Sequence, residues 1–551
     1  MQLNPQHLTL NQLLAGRLFR IPDYQRAYAW ETKQRKDLFA DIREVQKTKQ
    51  DHFLATVVGL ARERRLIVAN EFTAVEVVDG QQRLTTFVIL LKAIEKALGT
   101  GGDENKIKQE LHELLVKSDD HSLALLQTNH DSTHVFVDYI REGIIRKDAG
   151  ETAADKNLID AASECESFVE DWKRSASLIE LVALLRNRLS MIYHELTDES
   201  AVYRVFEVLN SRGLDVRWID KFKSQLMGLI FLQTNQSAEP LKEMHSIWQD
   251  IYRVLGLRNA LGDQALRFAG TLKNSQKVNR LQSEEDAAAT LVDQASGGLA
   301  NTVGQARWLH SIVVALDRLD RDARLKAVTN IVHARFVATS IIVRQFPPDV
   351  ERSLLAQWER VTFRIFGLGG ADSRHKVGDY VRLGQEIFVD KLKAPEIVDR
   401  LLSIGSDYSI DAVLTSAKDY TNSYEGWTEE LRYLLFRYDE HLAQAAGEKL
   451  NEFQWTKIWA ADPSKSIEHI KPQSSNVSYV HHLGNLTMLP PGVNSSLQDK
   501  PPNEKAKSYK ECGIRGTVAV ANTIRSRTWD KVAVLARAQL IEDFVRKEWA
   551  N

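Results

Sequence analysis

The sequence predicts an α+β protein, predominantly helical and built in three parts. Apolar residues recur at three- and four-residue spacing through most of the middle of the chain, the mark of packed helices. A strand, a glycine turn and a helix follow one another from Ala74 to Leu98. Between Ile467 and Ser496 two short apolar strands precede a proline break and a helix-capping sequence. A length of 551 residues is enough for three or four domains, and the pattern divides them as 1–225, 226–424 and 425–551.

Composition narrows the class. Hydrophobic residues at 43% and charged residues at 26% are ordinary for a globular chain, so sizeable cores are expected. No run of 18 apolar residues occurs, so no transmembrane helix is expected. Met1-Gln2-Leu3-Asn4-Pro5 has neither the basic nor the apolar region of a secretory signal. Cys165 and Cys512 alone make no zinc site or disulfide framework, and a reducing, cytoplasmic setting is the simplest reading. The net charge of −2 gives no global basic field. From Asn451 to Asn551, however, 14 Lys plus Arg stand against 10 Asp plus Glu. A basic final segment on a slightly acidic body suits one nucleic-acid-handling domain attached to a regulatory one.

In chain order, the first informative stretch is Phe19 to Glu31. Pro22 biases the residue before it toward extended backbone. Tyr24, Tyr28 and Trp30 fall at even spacings, with Arg26 among them as a guanidinium fit for phosphate. The plainer alternative is an aromatic mini-core with a solvent-facing arginine. Asp51 to Leu60 reads as a strand, Arg62-Glu63-Arg64-Arg65 as a solvated turn, and Ala74 to Val78 as a second strand. That strand runs into Asp79-Gly80-Gln81-Gln82-Arg83, and Leu84 to Leu98 reads as a helix. A strand, a glycine turn and a helix N-terminus form an anion site, because unpaired backbone N–H groups point outward there. Arg83 can reach a phosphate, Asp79 can hold a cation or a water, and Gln81 and Gln82 can position either. No P-loop occurs, so a Walker-type NTPase is excluded.

Glu104 to about Leu196 is expected to be mostly helical, with Leu178, Leu181, Leu185 and Leu189 as one stripe. Val205 to Asp215 contains Asn210 and Arg212 beside Gly213, a glycine suited to cap a helix. Ile219 to Leu232 opens a long helical region, and the helices of Trp308 to Phe346 are expected to stop at Pro347-Pro348. Gly367-Leu368-Gly369-Gly370 has no strand context and reads as a plain loop. The last domain is expected to begin near Glu425-Gly426-Trp427, with Leu431 to Tyr438 as its first helix and Trp529 to Trp549 as its closing one.

Within it, Ile467 to Lys471 reads as a strand ending at Pro472, and Leu486 to Leu489 as another, broken by Pro490-Pro491-Gly492. Asn494-Ser495-Ser496 reads as a helix cap before a lysine-bearing helix. One acid, one histidine and two asparagines thereby converge. The set suits metal-assisted phosphodiester hydrolysis, with His469 as the base and Glu468 and Asn494 as hard oxygen ligands for Mg²⁺ or Mn²⁺. Asn485 would orient His469 or tie the strands together. His481 and His482 lie in the loop between them, as structural or phosphate-facing residues.

These C-terminal residues resemble the HNH (ββα-metal) nuclease motif, and more narrowly the end domain of GmrSD-type modification-dependent restriction enzymes. The matching pieces are Ile467-Glu468-His469-Ile470-Lys471-Pro472-Gln473, Leu483-Gly484-Asn485-Leu486-Thr487 and Asn494-Ser495-Ser496, followed by Lys500 and Glu504-Lys505. Many HNH nucleases carry histidine where this chain has Asn494, so weaker metal affinity is expected. Tyr24-Gln25-Arg26 with Asp79-Gly80-Gln81-Gln82-Arg83 resembles the N-terminal domain of the same family, which is similar in fold to ParB/sulfiredoxin-like domains. The resemblance implies nucleotide binding and hydrolysis there, with Arg26, Asn210 and Arg212 completing the pocket. It further implies a nucleotide-regulated, metal-dependent endonuclease that cuts modified foreign DNA, as of phage, in defence. The NTP base and the modification are not implied, and a homodimer is compatible with the sequence. Two other functions are weighed beside this one: a nucleotide-dependent DNA-binding regulator with an inactive HNH fold, and an RNA-cleaving toxin-like nuclease.

Overall fold

The computed structural model describes residues 4–22, Gln25, 27–117, 124–128, 134–196, 217–233, 238–256, 258–322, 325–416 and 422–550. The chain divides into two compact units, one of Met1–Gly270 with Gln282–Val314 and one of Thr271–Leu281 with Ala315–Asn551. Residues 226–424, expected as a helical middle, are thus distributed over both. The architecture is α+β and predominantly helical. No helix among the described residues is long and apolar enough to cross a membrane.

The first unit is built on a six-stranded mixed sheet. Its strands are β1 (Asn4–Thr9), β2 (Arg17–Ile21), β3 (His52–Ile67), β4 (Asn70–Asp79), β5 (Leu126–Thr128) and β6 (Leu189–Leu196). Their order is β1-β6-β3-β4-β2-β5. β3 and β4 form an antiparallel hairpin, while β6 runs parallel to β3, and β2 parallel to β4. Val57, Val58 and Leu60 of β3 and Val75, Val77 and Val78 of β4 are buried. Such β-branched runs favour strand over helix. The helix Gln81–Ala97 continues from β4 and is buried nearly all round, which marks a central helix. It packs on the helices Gly102–Leu115 and Ala153–Lys173 and shares one core with the sheet. Fully burying each of its Leu, Ile, Val and Phe side chains is worth about 1.5–3 kcal/mol, which holds the end of β4 and the start of the helix in fixed register.

Three local expectations are corrected. Arg62 to Arg65 is strand rather than turn: Arg62 pairs with Glu76 at 2.8 Å and Arg64 with Glu71 at 3.2 Å across the hairpin. The turn lies further on, between Ile67 and Asn70. A charged strand on the exposed end of a hairpin lacks the apolar alternation by which strands are read. Leu189 does not extend the helix Leu178–Arg188 but opens β6, which sits between β1 and β3. Leu-Ser-Met-Ile-Tyr-His-Glu-Leu follows the helix with no breaker between, so only tertiary pairing distinguishes them. Pro347-Pro348 starts a helix rather than only stopping one, with Pro348 as the first residue of Pro348–Thr362. At that position the missing N–H costs nothing.

The second unit is helical apart from one small sheet. Its core joins Ala334, Trp358, Ile365, Tyr380 and Leu401 to Leu434, Trp455, Ile470, Tyr509 and Trp549. The sheet pairs β7 (Ile467–His469) with β8 (Leu486–Met488) antiparallel, Glu468 opposite Thr487. The helix Thr428–Ala445 precedes this sheet, and Lys531–Glu548 closes the unit. Gly367 lies within a π-helical turn, Phe363–Leu368, where an added Cβ would lie 2.4 Å from the Phe363 ring. This glycine serves packing.

Candidate functional site

β7, β8 and the short helix Pro491–Leu497 follow the strand, strand, helix order expected from the motif. The ladder is extended at both ends, Leu489 N donating to Ser466 O and Ile470 N to Asn485 O. Asn494 lies inside the short helix rather than at its cap, because Pro491 already supplies a favourable first helical residue. The lysine-bearing helix follows as Pro502–Glu511.

Successive strand residues face opposite sides, and this separates Glu468 from His469. The His469 ring meets His481, with Nε2 3.0 Å from His481 Nδ1. The Gln473 amide nitrogen lies 3.1 Å from His469 Nδ1 and 3.4 Å from Nε2. Tyr424 packs edge-on against His469 and stacks flat on His481, 5.5 Å between centroids. Burial, helped by the neighbouring His481 and Lys505, pushes the His469 imidazole down to about 4. It is therefore neutral at physiological pH, the form that accepts a proton.

Glu468 points the other way. Its Oε1 accepts from Lys505 Nζ and from Tyr509 OH, both at 2.7 Å, and Lys505 also donates to His469 O. Burial raises the Glu468 carboxyl above its ordinary range, while the Lys505 charge and the two hydrogen bonds oppose that rise. Asn494 Nδ2 donates to Lys465 O and Ile467 O. Glu468 Oε2 and Asn494 Oδ1 are the oxygens with no partner among the described residues. No group of three or more His, Cys, Asp or Glu suited to a metal occurs among those residues.

Asn485 is wholly buried and hydrogen-bonds neither nitrogen of His469. Its amide donates to Lys471 O and Val480 O, and its oxygen accepts from Lys471 N and Trp529 Nε1. Of the two roles expected, it performs the tying one, clamping the end of β7 to the loop before β8. Arg537, also buried, donates to the carbonyls of Leu483, Gly484 and Leu486. Gly484 fits because a Cβ there would lie 2.0 Å from Val534 O. Gly-Asn in this motif is thus a packing device that fixes the loop carrying His481.

The depressed histidines make the second unit acid-sensitive. His333, buried against Phe366 and Tyr380, is also pushed down to about 4, with burial as the main cause. Between about pH 6.5 and 4 the unfolded chain carries these protons and the folded chain does not, so stability falls as pH falls. Each site contributes up to about 3 kcal/mol over the full window. Urea midpoints measured from pH 7 to 5 should fall, and His469→Gln should flatten the fall. Equal slopes for parent and variant would contradict the His469 environment described here.

In the first unit, Asp79 ends β4, Gly80 takes φ +90°, and Gln81 begins the helix. A Cβ at Gly80 would be 3.0 Å from Val57 Cγ2, so both backbone conformation and space favour glycine. Gln82 is spent on the aromatic stretch: Oε1 accepts from Ala29 N and Trp30 N, and Nε2 donates to Ala27 O. Tyr28 OH meets Thr86 Oγ1 at 2.9 Å, and Gln25 donates to Val78 O. The two N-terminal motifs, about 50 residues apart, therefore form one place. Gln81 is buried beside Tyr28 and Thr85. Arg83 lies over the Trp30 ring at 5.5 Å and donates no hydrogen bond among the described residues. Burial lowers its affinity for its proton, with Asp79 and Asp41 opposing. Arg26, Asn210 and Arg212 lie outside the described residues.

Sequence reasoning passed over Tyr424 and Lys505's pairing with Glu468, and left His481 without a defined role. The double histidine at 481–482 was the available signal.

No curated protein matches the chain. Two family models do: the GmrSD restriction endonuclease N-terminal domain over residues 9–227, and the GmrSD restriction endonucleases C-terminal domain over residues 408–543. They fall on the two motif-bearing regions and together cover more than half the chain. With both domains in one polypeptide, the chain belongs to the GmrSD restriction endonuclease family and is a restriction nuclease acting on DNA.

Proposed function

We propose that the C-terminal region is an HNH nuclease whose cleavage is metal-dependent and governed by a nucleotide bound and hydrolysed at the N-terminal motif. Its target would be modified foreign DNA, such as phage DNA, in the cytoplasm. The observation that carries this reading is the placement of His469 at the end of β7, its ring against His481 and Gln473, within a strand, strand, helix unit. Two buried, unpaired thiols fit a reducing compartment.

His469 would take the proton of the attacking water. The oxygens left for Mg²⁺ or Mn²⁺ are Asn494 Oδ1 and Glu468 Oε2, which suits an ion that takes few protein ligands and completes its shell with water and substrate phosphate. When bound, the ion supplies charge stabilisation at the phosphate and leaving oxygen. Lys505 already offsets the Glu468 charge, so the donor set is poor in net charge and the ion should bind weakly without DNA. At the other end, Arg83, which donates no hydrogen bond among the described residues, stands beside a helix N-terminus and supports an anion such as the triphosphate of an NTP.

The test is a cleavage panel of unmodified, 5-methylcytosine, 5-hydroxymethylcytosine and phosphorothioate DNA, with each NTP and with Mg²⁺ or Mn²⁺. EDTA should stop cleavage, and Asn494→Ala should reduce it by about 10–100-fold while raising the metal concentration required. A nuclease fully active in EDTA would overturn metal dependence. If RNA is cut and no DNA is, the toxin-like reading replaces the modified-DNA reading.

A further inference from the structure

The His469 ring has two nitrogens, and only one can take a proton from water while the ring is neutral. Gln473 Nε2 stands between the two, 3.1 Å from Nδ1 and 3.4 Å from Nε2, and so does not by itself choose the tautomer, whereas the contact of the ring's Nε2 with His481 is directed at that nitrogen alone. In the tautomer with its hydrogen on Nε2, that hydrogen faces His481 Nδ1, 3.0 Å away, and Nδ1 of His469 keeps its lone pair. Asn485 cannot choose the tautomer, because its amide is bonded to Lys471, Val480 and Trp529.

We infer that His481 is a positioning residue for cleavage: by accepting the Nε2–H of His469 it fixes the tautomer whose Nδ1 is the base. The inference rests on the reading of His469 as that base. His481 is itself held on three sides. Tyr424 stacks on its ring, its carbonyl accepts from Ser423 N at 2.9 Å, and the adjoining loop is clamped by Asn485 and Arg537. Residues 422–427, immediately before the helix Thr428–Ala445, therefore contribute a wall to the site. Gln473, exposed on the short turn Gln473–Ser475, stands on the Nδ1 side, where it can yield to the substrate.

The proton balance is simple. Nδ1 gains the proton of water as the water oxygen bonds to phosphorus and the bond from phosphorus to the leaving sugar oxygen breaks. That oxygen takes a proton from solvent, and the ring becomes an imidazolium that still donates through Nε2 to His481 until it returns its proton to solvent. Loss of the acceptor should therefore affect turnover and not DNA binding.

The experiment uses the full-length chain, Mn²⁺ and whichever DNA of the panel above the parent cuts. His481→Ala should lower kcat by about 10–100-fold, in the range typical of orienting partners, with KM unchanged. His481→Asn, which keeps an acceptor near the same place, should recover most of that loss. Thermal melts and NTP hydrolysis of both variants serve as fold controls. Parent-like kcat in His481→Ala, an effect confined to KM, or equal loss in Ala and Asn variants with parent-like melts would each overturn the inference. If His481→Ala does not fold, His481→Asn decides: a folded Asn variant with near-parent kcat supports acceptance, and a folded one with kcat as low as the His469 variant overturns it. Full cleavage by His469→Ala would instead defeat the underlying reading, which keeps the two failures distinct.

Discussion

His469→Ala should lower DNA cleavage by about 10²–10⁴-fold, the range for removing a general base, and leave nucleotide hydrolysis at the parent rate. The chain is expected to keep its fold because the ring's hydrogen-bond partners are near the surface. Gln473 is exposed and His481 half-buried, so both can turn to water when the ring is gone. The backbone of residue 469 is held independently, by Leu486 across the sheet and by Lys505 Nζ on its carbonyl. The loss of the ring's two side-chain hydrogen bonds costs about 1 kcal/mol each. The variant should even be less sensitive to acid than the parent, since the imidazole that resists protonation is absent. Cleavage and urea melts of purified parent and variant separate chemistry from stability. Cleavage at the parent rate by a folded His469→Ala protein would remove the HNH assignment.

Glu468 contrasts with this. Replacing it leaves the Lys505 ammonium buried without its partner, and breaking such a pair costs about 3–5 kcal/mol. A loss of cleavage in Glu468→Ala therefore mixes metal binding with folding, whereas Asn494, half-buried and uncharged, gives up two hydrogen bonds to the carbonyls of Lys465 and Ile467 and strands no buried charge, so its replacement mixes the two less.

The parts of the fold legible in sequence are those fixed by local chemistry. Asp79-Gly80 marks a turn because glycine takes positive φ, and the apolar residues from Leu84 onward mark a helix that nothing else could bury. β7 and β8 are legible from short apolar runs bounded by prolines. What sequence does not carry is which distant groups meet. Glu468 reads as a free carboxylate until the helix Pro502–Glu511 brings Lys505 and Tyr509 onto it, about 40 residues on. Asn485 and Gln82 read as site residues, the one to orient His469 or tie the strands and the other to position a bound group, because both are polar residues in catalytic-looking motifs, yet both are buried and bonded to backbone on the facing segment. Such clamps must be polar to satisfy main-chain groups that no strand or helix pairs, which is why they resemble site residues on the page. Arg62 to Arg65 reads as a turn because its partners Glu71 and Glu76 follow the hairpin bend.

Arg83→Ala should reduce nucleotide hydrolysis by a factor on the order of 10²–10³, the effect of deleting one charge-stabilising donor. The residue stands at the mouth of the helix that begins at Gln81, its guanidinium on the face of Trp30 and free of hydrogen bonds among the described residues. Its contribution to the fold is one cation–π contact, worth about 0.5–1 kcal/mol at a partly exposed site. Arg83 is therefore a cleaner probe than Gln82, whose amide holds the backbone at 27, 29 and 30. Arg83→Lys keeps the charge but loses the bidentate fork, and should fall between parent and alanine. If the nucleotide biases the nuclease between two arrangements, Arg83→Ala should also change DNA cleavage. A coupling of about 1–3 kcal/mol corresponds to roughly 5–150-fold, and its sign tells whether the nucleotide activates or restrains cutting. The measurement pairs NTP turnover with DNA cleavage in parent, Arg83→Ala and Arg83→Lys, with His469 intact. A loss of hydrolysis with unchanged cleavage would leave the nucleotide site standing and remove the coupling. Parent rates for both activities would reduce Asp79-Gly80-Gln81-Gln82-Arg83 to a strand-to-helix turn whose glutamine secures the aromatic stretch beside it.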